Sequence, residues 1–221
     1  AVCRGSFHAV LGGEAGEAVF ADFSAALQKA QAEGRILTAS LFRYENQLFF
    51  YAEGLNRPFT PQGLCPALDA ALLPWPPALG ETAPRPWAAM QPYFYHDVPT
   101  TAADWQQGRC PQRRRGRIAL LPPDKWCSYM EHHLRIVTEG LVEGDRWHLI
   151  CVQEGVLFSY LEEPRTNVNI RHKPGAHSPE LDAWIAADPE SHFARFTPEQ
   201  KAHPDSGHNF VFLPRIAGTE D

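Results

Sequence analysis

The chain has 221 residues, 44% apolar and 21% charged, with 20 Lys and Arg against 26 Asp and Glu for a net charge of -6. That composition excludes a disordered or fibrous protein, and the acidic balance excludes a general nucleic-acid binder, which needs a basic surface. Five cysteines without CxxC spacing read as reduced thiols, and there is neither a run of about 18 apolar residues nor a signal-peptide layout, so a cytoplasmic chain with no membrane partner is expected.

Taken in chain order, the elements come twice. After "RG" at Arg4 and Gly5, "SFHAVL" reads as a strand and "EAVFADFSAALQKAQAEG" as a helix with apolar residues at three and four spacing, ending near glycine. "RILTASLFRY" and "QLFFYAE" follow as two strands joined by the polar turn "EN". Ten of the twenty prolines lie between residues 58 and 99, so a second helix there is short, displaced or lost to loop, and "PYFYHDV" closes the copy as a strand. Residues 104–114 read as a linker, and the basic run "RRRGR" at 113–117 as a solvated stretch between segments.

The second copy repeats the order. "RIALL" is a strand, "DKWCSYMEHHLRIVTEGLVEG" a helix, and "RWHLICVQ" and "VLFSYLE" two strands joined by "EG". A helix opens at Ser178-Pro179 and is interrupted near Pro189, and "HNFVFLPRI" is the last strand. "LFFYAE" at 48–53 recurs as "LFSYLE" at 157–162, Arg4-Gly5 as Arg115-Gly116, and Glu33-Gly34 as Glu143-Gly144, at offsets of 109, 111 and 110 residues. The order strand, helix, two strands, helix, strand is the ferredoxin-like unit. A sheet with helices on one face needs cover on the other. The expected fold is therefore α+β: two tandem ferredoxin-like units, 1–103 and 115–221, packed sheet to sheet within one chain.

Candidate chemistry concentrates in the second copy. Tyr129 and His133 stand four apart on one helix and so side by side, an imidazole that titrates near neutrality next to a phenol. The plainer reading is a half-buried helix face, but counting from the repeat puts Val19 and Phe23 at the matching positions of the first copy, so only the second copy carries polar groups there. In "RWHLICVQ", Trp147 and His148 point to opposite faces of a strand, and either could face a ligand. The ten histidines show neither HExxH nor a paired cysteine spacing, so no metal site is expected. Cys151, mid-strand, reads as core.

Taken together, "YMEHHLRIV", "RWHLICVQEGVLFSYLEEP" and "NFVFLPRI" resemble the L-rhamnose mutarotase family of dimeric α/β-barrel proteins, over about half the chain. Tyr129 and His133 fall on that family's helical Tyr-x-x-x-His, His148 on its strand aromatic, Leu157 to Glu162 on its third strand, and Phe210 to Pro214 on its closing strand. The resemblance implies an intrachain dimeric α/β barrel and a sugar mutarotase, with no cofactor. His133 would be the principal proton carrier and Tyr129 its neighbour, with His148, Trp147, Trp184 and Tyr160 around a monosaccharide. The chain departs from the family in offering Phe193 and Phe196, with Trp184 upstream, where the family carries a tryptophan pair, and in an insertion at 165–181. The first copy would stand in for the second subunit of the family's dimer, leaving further self-association open. Two alternatives remain: a non-catalytic sugar or small-ligand binding module, and a monooxygenase or haem-handling member of the same fold.

Overall fold

A computed structural model describes residues 1–167, 170–200 and 209–219. Its main elements are β1 (Val2–Leu11), α1 (Glu17–Ala32), β2 (Ile36–Tyr44), β3 (Gln47–Leu55), α2 (Pro66–Ala70), β4 (Ala88–Tyr95) and α3 (Ala102–Gln106). They continue as β5 (Arg113–Leu120), α4 (Pro123–Glu139), β6 (Leu149–Gln153), β7 (Val156–Glu163), α5 (Pro179–Ala186), β8 (Val211–Leu213) and β9 (Arg215–Gly218). The fold is α+β, as expected, and among the described residues no helix is long and apolar enough to cross a membrane.

The chain forms two compact units, and each includes a short piece of the other half of the sequence. Unit 1 comprises Ala1–Met90, Pro99–Cys110 and the segment from Pro214 onward; unit 2 comprises Gln91–Val98 and Pro111–Leu213. Residues 102–106, where the expected linker begins, are helical, with Trp105 fully buried.

In unit 1 the antiparallel strand order is β4-β1-β3-β2, the ferredoxin-like arrangement, with Ala88–Met90 of β4 on β1 and β9 added beside β2. Helix α1 lays Phe20, Phe23 and Leu27 on one side of this sheet, where they meet Leu41, Leu48 and Phe50. Each such side chain contributes about 1.5–3 kcal/mol by leaving water. Helix α2 has only five residues, consistent with the proline-rich sequence around it. Trp105, on α3, receives the Arg4 guanidinium 5.2 Å from its ring centroid. Beside it, Tyr51 donates its hydroxyl to Glu53 at 2.6 Å, and Arg109 pairs with the same carboxylate at 2.7 Å.

Unit 2 repeats the order as β8-β5-β7-β6, with Gln91–Tyr95 of β4 added beside β6. The registers of the two units correspond closely. Ser6 opposes Tyr51 as Gly116 opposes Tyr160, and Phe42 opposes Arg215 as Cys151 opposes Pro92. Both hairpins close with two residues, and both turns place a glutamate, Glu45 or Glu154, at φ 53°. Gly116 therefore matches Ser6, so the Arg-Gly pairs at 4–5 and 115–116 are one residue out of step and their likeness is fortuitous. The second glycine pair fails similarly: α1 is followed by Gly34 at φ 68°, but α4 is capped by Gly140 at φ 69°, not by Gly144.

The basic run is a strand, not a solvated linker. Arg114 lies 3.7 Å from Glu162, Arg115 lies 3.3 Å from Glu163, and Gly116 and Ile118 are buried. Alternation along β5 explains this, because successive side chains turn to opposite faces, so that Arg114 and Arg115 reach different glutamates.

Candidate functional site

Helix α4 starts at Pro123, which has no N–H to leave unsatisfied, and stops at Gly140 in the left-handed conformation. Between them Tyr129, His133 and Ile136 form the buried stripe, while Trp126 and Leu134 are exposed. Helix α5 begins as expected at Ser178, whose hydroxyl accepts from the Leu181 N–H at 3.0 Å, and it buries Leu181 and Trp184. A short 3-10 turn at Pro189–His192 follows, where the sequence predicts an interruption.

These elements enclose a cavity of about 450 Å³ within unit 2, in the range of small-molecule sites. Of the six site residues expected from sequence, four line it: Tyr129, His133, His148 and Trp184. Two do not. Tyr160 is fully buried and donates its hydroxyl to Glu162 at 2.6 Å, as Tyr51 does to Glu53, so it belongs to a repeated structural pair rather than to a pocket. Trp147 is buried in the turn before β6 and is not among the cavity-lining residues, whereas its neighbour His148 is.

His133 is held on every side. Its ring centroid is 4.1 Å from that of Tyr129, 4.7 Å from Trp184 and 4.8 Å from Phe94, the last two edge-on. Its Nδ1 lies 2.8 Å from the backbone carbonyl of Tyr129. A carbonyl oxygen only accepts, so Nδ1 carries the hydrogen and Nε2 is left with a lone pair. Burial lowers the His133 pKa to about 4, despite that bond, and His132, His192 and His96 push it further the same way. At neutral pH the ring is uncharged and able to accept a proton.

Sequence reasoning missed several cavity groups. His96 lies beyond β4 and reads as part of the first copy, but Gln91–Val98 belongs to unit 2. Burial takes its pKa to about 4. Its ring packs so closely on Gly144 that a Cβ there would overlap it, so any larger residue at that position must displace the ring. Arg117, on β5, was hidden in the basic run. It lines the cavity with its guanidinium carbon 4.2 Å from the Phe210 ring centroid. Burial, with Arg165 nearby, lowers its pKa to about 10, so it remains a cation. Arg165 also lines the cavity and pairs with the buried Asp145 at 3.3 Å; Glu190 lines it too and accepts from Asn209. The unit 1 counterpart of Arg117 is Phe7, opposite Phe50 as Arg117 is opposite Ser159, and Phe7 packs into the apolar core.

Among the described residues no group of three His, Cys, Asp or Glu side chains is arranged to hold a metal ion. His203 and His208, the last two of the ten histidines, lie outside the described residues, as do Val168 and Asn169 of the 165–181 insertion.

No family model matches the chain, and no curated protein does. Solved structures are similar to it at low identity, among them the following two. One is a proposed monooxygenase from Lactobacillus acidophilus, 8% identical over 98% of this chain and 95% of that one, with a TM-score of 0.44. The other is a proposed monooxygenase from Fusobacterium nucleatum, 8% identical over 100% and 94%, with a TM-score of 0.42. Neither likeness is close enough to transfer an activity to this chain.

Proposed function

We propose that unit 2 is an acid/base catalyst that interconverts the α and β anomers of a monosaccharide, with His133 as the proton carrier. The observation behind this reading is the single ring nitrogen left free by the bond to the Tyr129 carbonyl, on a neutral imidazole that lines a cavity. Nε2 takes the proton of the anomeric hydroxyl as the bond from the anomeric carbon to the ring oxygen breaks. The anomeric and ring oxygens share one carbon, so the imidazolium can return the same proton to the ring oxygen. After rotation of the aldehyde, the steps reverse and close the other anomer. A ring with a pKa near 4 is a weak base, and the cation of Arg117 in the same cavity offsets this by stabilising the alkoxide that develops. Trp184 and Phe94 offer apolar faces for the sugar's C–H surface. Saturation-transfer NMR on a panel of neutral aldoses and hexuronates tests the reading: exchange above the uncatalysed rate supports it, and no acceleration for any of these sugars contradicts it.

A second reading rests on the combination of base and guanidinium. The same two groups suit ionising a phenol or enol, whose electron-rich anion reacts with dioxygen, and monooxygenase is the description carried by both solved structures named above. Oxygen uptake in the presence of hydroquinones, without anomer exchange, would select it. Tight binding of a sugar with neither reaction would select a binding module.

A further inference from the structure

We propose that the molecule bound in the unit 2 cavity carries a carboxylate, and that Arg117 receives it; for the anomer reaction, on whose reading this rests, the substrate class becomes the hexuronates rather than neutral aldoses. The cavity holds two guanidinium groups, and they differ in one respect. Arg165 is already neutralised by Asp145, which also accepts from the Thr166 N–H and hydroxyl. Arg117 has no hydrogen bond or ion pair among the described residues, and its Nε is buried without an acceptor. What it does have is the face of Phe210 at 4.2 Å, which holds the guanidinium without satisfying its N–H groups.

A desolvated, unpaired cation is costly unless an anion completes it. The cavity's own carboxylates do not: Asp145 is committed to Arg165 and Thr166, and Glu190 accepts from Asn209 without reaching ion-pair distance of Arg117. The neighbouring imidazoles of His96 and His133 are neutral, so they neither compete for the anion nor repel it. The duplicated sequence points the same way. Unit 1 fills the Arg117 position with Phe7 and keeps the strand register, so the fold itself does not demand a charge there. A guanidinium matches a planar carboxylate through paired N–H bonds.

The test compares glucuronate and galacturonate with glucose and galactose at matched concentrations, by calorimetric titration of the full chain. The uronates should bind at least about tenfold more tightly than their neutral counterparts, the scale of a hydrogen bond to a charged group. Arg117→Gln should erase that preference, while Arg117→Lys should keep part of it. Equal binding of neutral and acidic sugars, no binding of either uronate, or a preference unchanged in the Gln variant overturns the proposal. The wild-type comparison decides even if the Gln variant does not fold. Uronate preference without faster anomer exchange would sink the reaction and leave the carboxylate site standing. His133-dependent exchange of neutral sugars, with no uronate preference, would do the reverse.

Discussion

His133 and Tyr129 are joined through the backbone: the imidazole Nδ1 donates to the carbonyl of Tyr129 at 2.8 Å, while the two rings lie 4.1 Å apart. What residue 129 gives the imidazole is its carbonyl oxygen, and any residue at 129 supplies a carbonyl. Tyr129→Phe should therefore keep the His133 tautomer and retain anomer exchange within about tenfold. His133→Ala should lose it. Comparable losses from both would show that the phenol itself takes part in proton transfer.

The acidity of His133 determines how the protein responds to pH. The folded value is about 4, against 6.5 for an unperturbed ring, so in between the unfolded chain binds a proton that the folded one does not. Stability is fully present above about pH 6.5 and falls as the pH drops towards 4, by about 3 kcal/mol from this group at 1.36 kcal/mol per pH unit. The acid limb of kcat/KM should likewise lie near pH 4 rather than near 6.5. Denaturant titrations at several pH values, on wild type and His133→Ala, check the first expectation, since the variant should lose that part of the slope.

Gly144 makes room for His96. A methyl group at 144 would overlap the imidazole, so Gly144→Ala should destabilise the protein by about 1–3 kcal/mol and displace His96 from the cavity. Removing the ring should relieve the clash. In thermal melts the double variant Gly144→Ala/His96→Ala should then be more stable than additivity of the two single changes allows.

The buried Glu53–Arg109 pair tests unit 1. Burial alone would raise the Glu53 pKa, but Arg109 and Arg4 outweigh it and hold the carboxylate below its ordinary value. Glu53→Ala leaves a buried guanidinium without its partner and should cost about 3–5 kcal/mol in denaturant unfolding. The exposed Glu131–Arg135 pair on α4, also at 2.7 Å, makes a control. Glu131→Ala should barely move the midpoint, because water screens an exposed pair.

Much of the fold was legible because each unit must bury one face of its sheet, and that need writes a period into the sequence. The matching strands "LFFYAE" and "LFSYLE" hold equivalent places in the two units, with Tyr51 on Glu53 and Tyr160 on Glu162. The same repetition misled where it came from composition alone, as with the Arg-Gly and Glu-Gly pairs. The site was half legible. Tyr129 and His133 announce themselves by helical spacing and by contrast with the first copy. Arg117 and His96 do not. Arg117 sits in a run of arginines of which Arg114 and Arg115 pair with glutamates, and nothing in the sequence marks it as the one that lines the cavity. His96 is close to His133 in space but far from it in sequence, because Gln91–Val98 joins the opposite unit from the residues before it. Tyr160 was misassigned for a related reason: a strand tyrosine reads the same whether it faces a ligand or a buried carboxylate.

The most direct measurement is the anomer exchange rate by saturation-transfer NMR, with neutral aldoses and hexuronates, for wild type and His133→Gln of verified fold. Acceleration by wild type that falls to the uncatalysed rate in the variant is the expected result. Acceleration that survives the loss of the imidazole, or its absence in wild type for every sugar tried, would contradict the role given to His133.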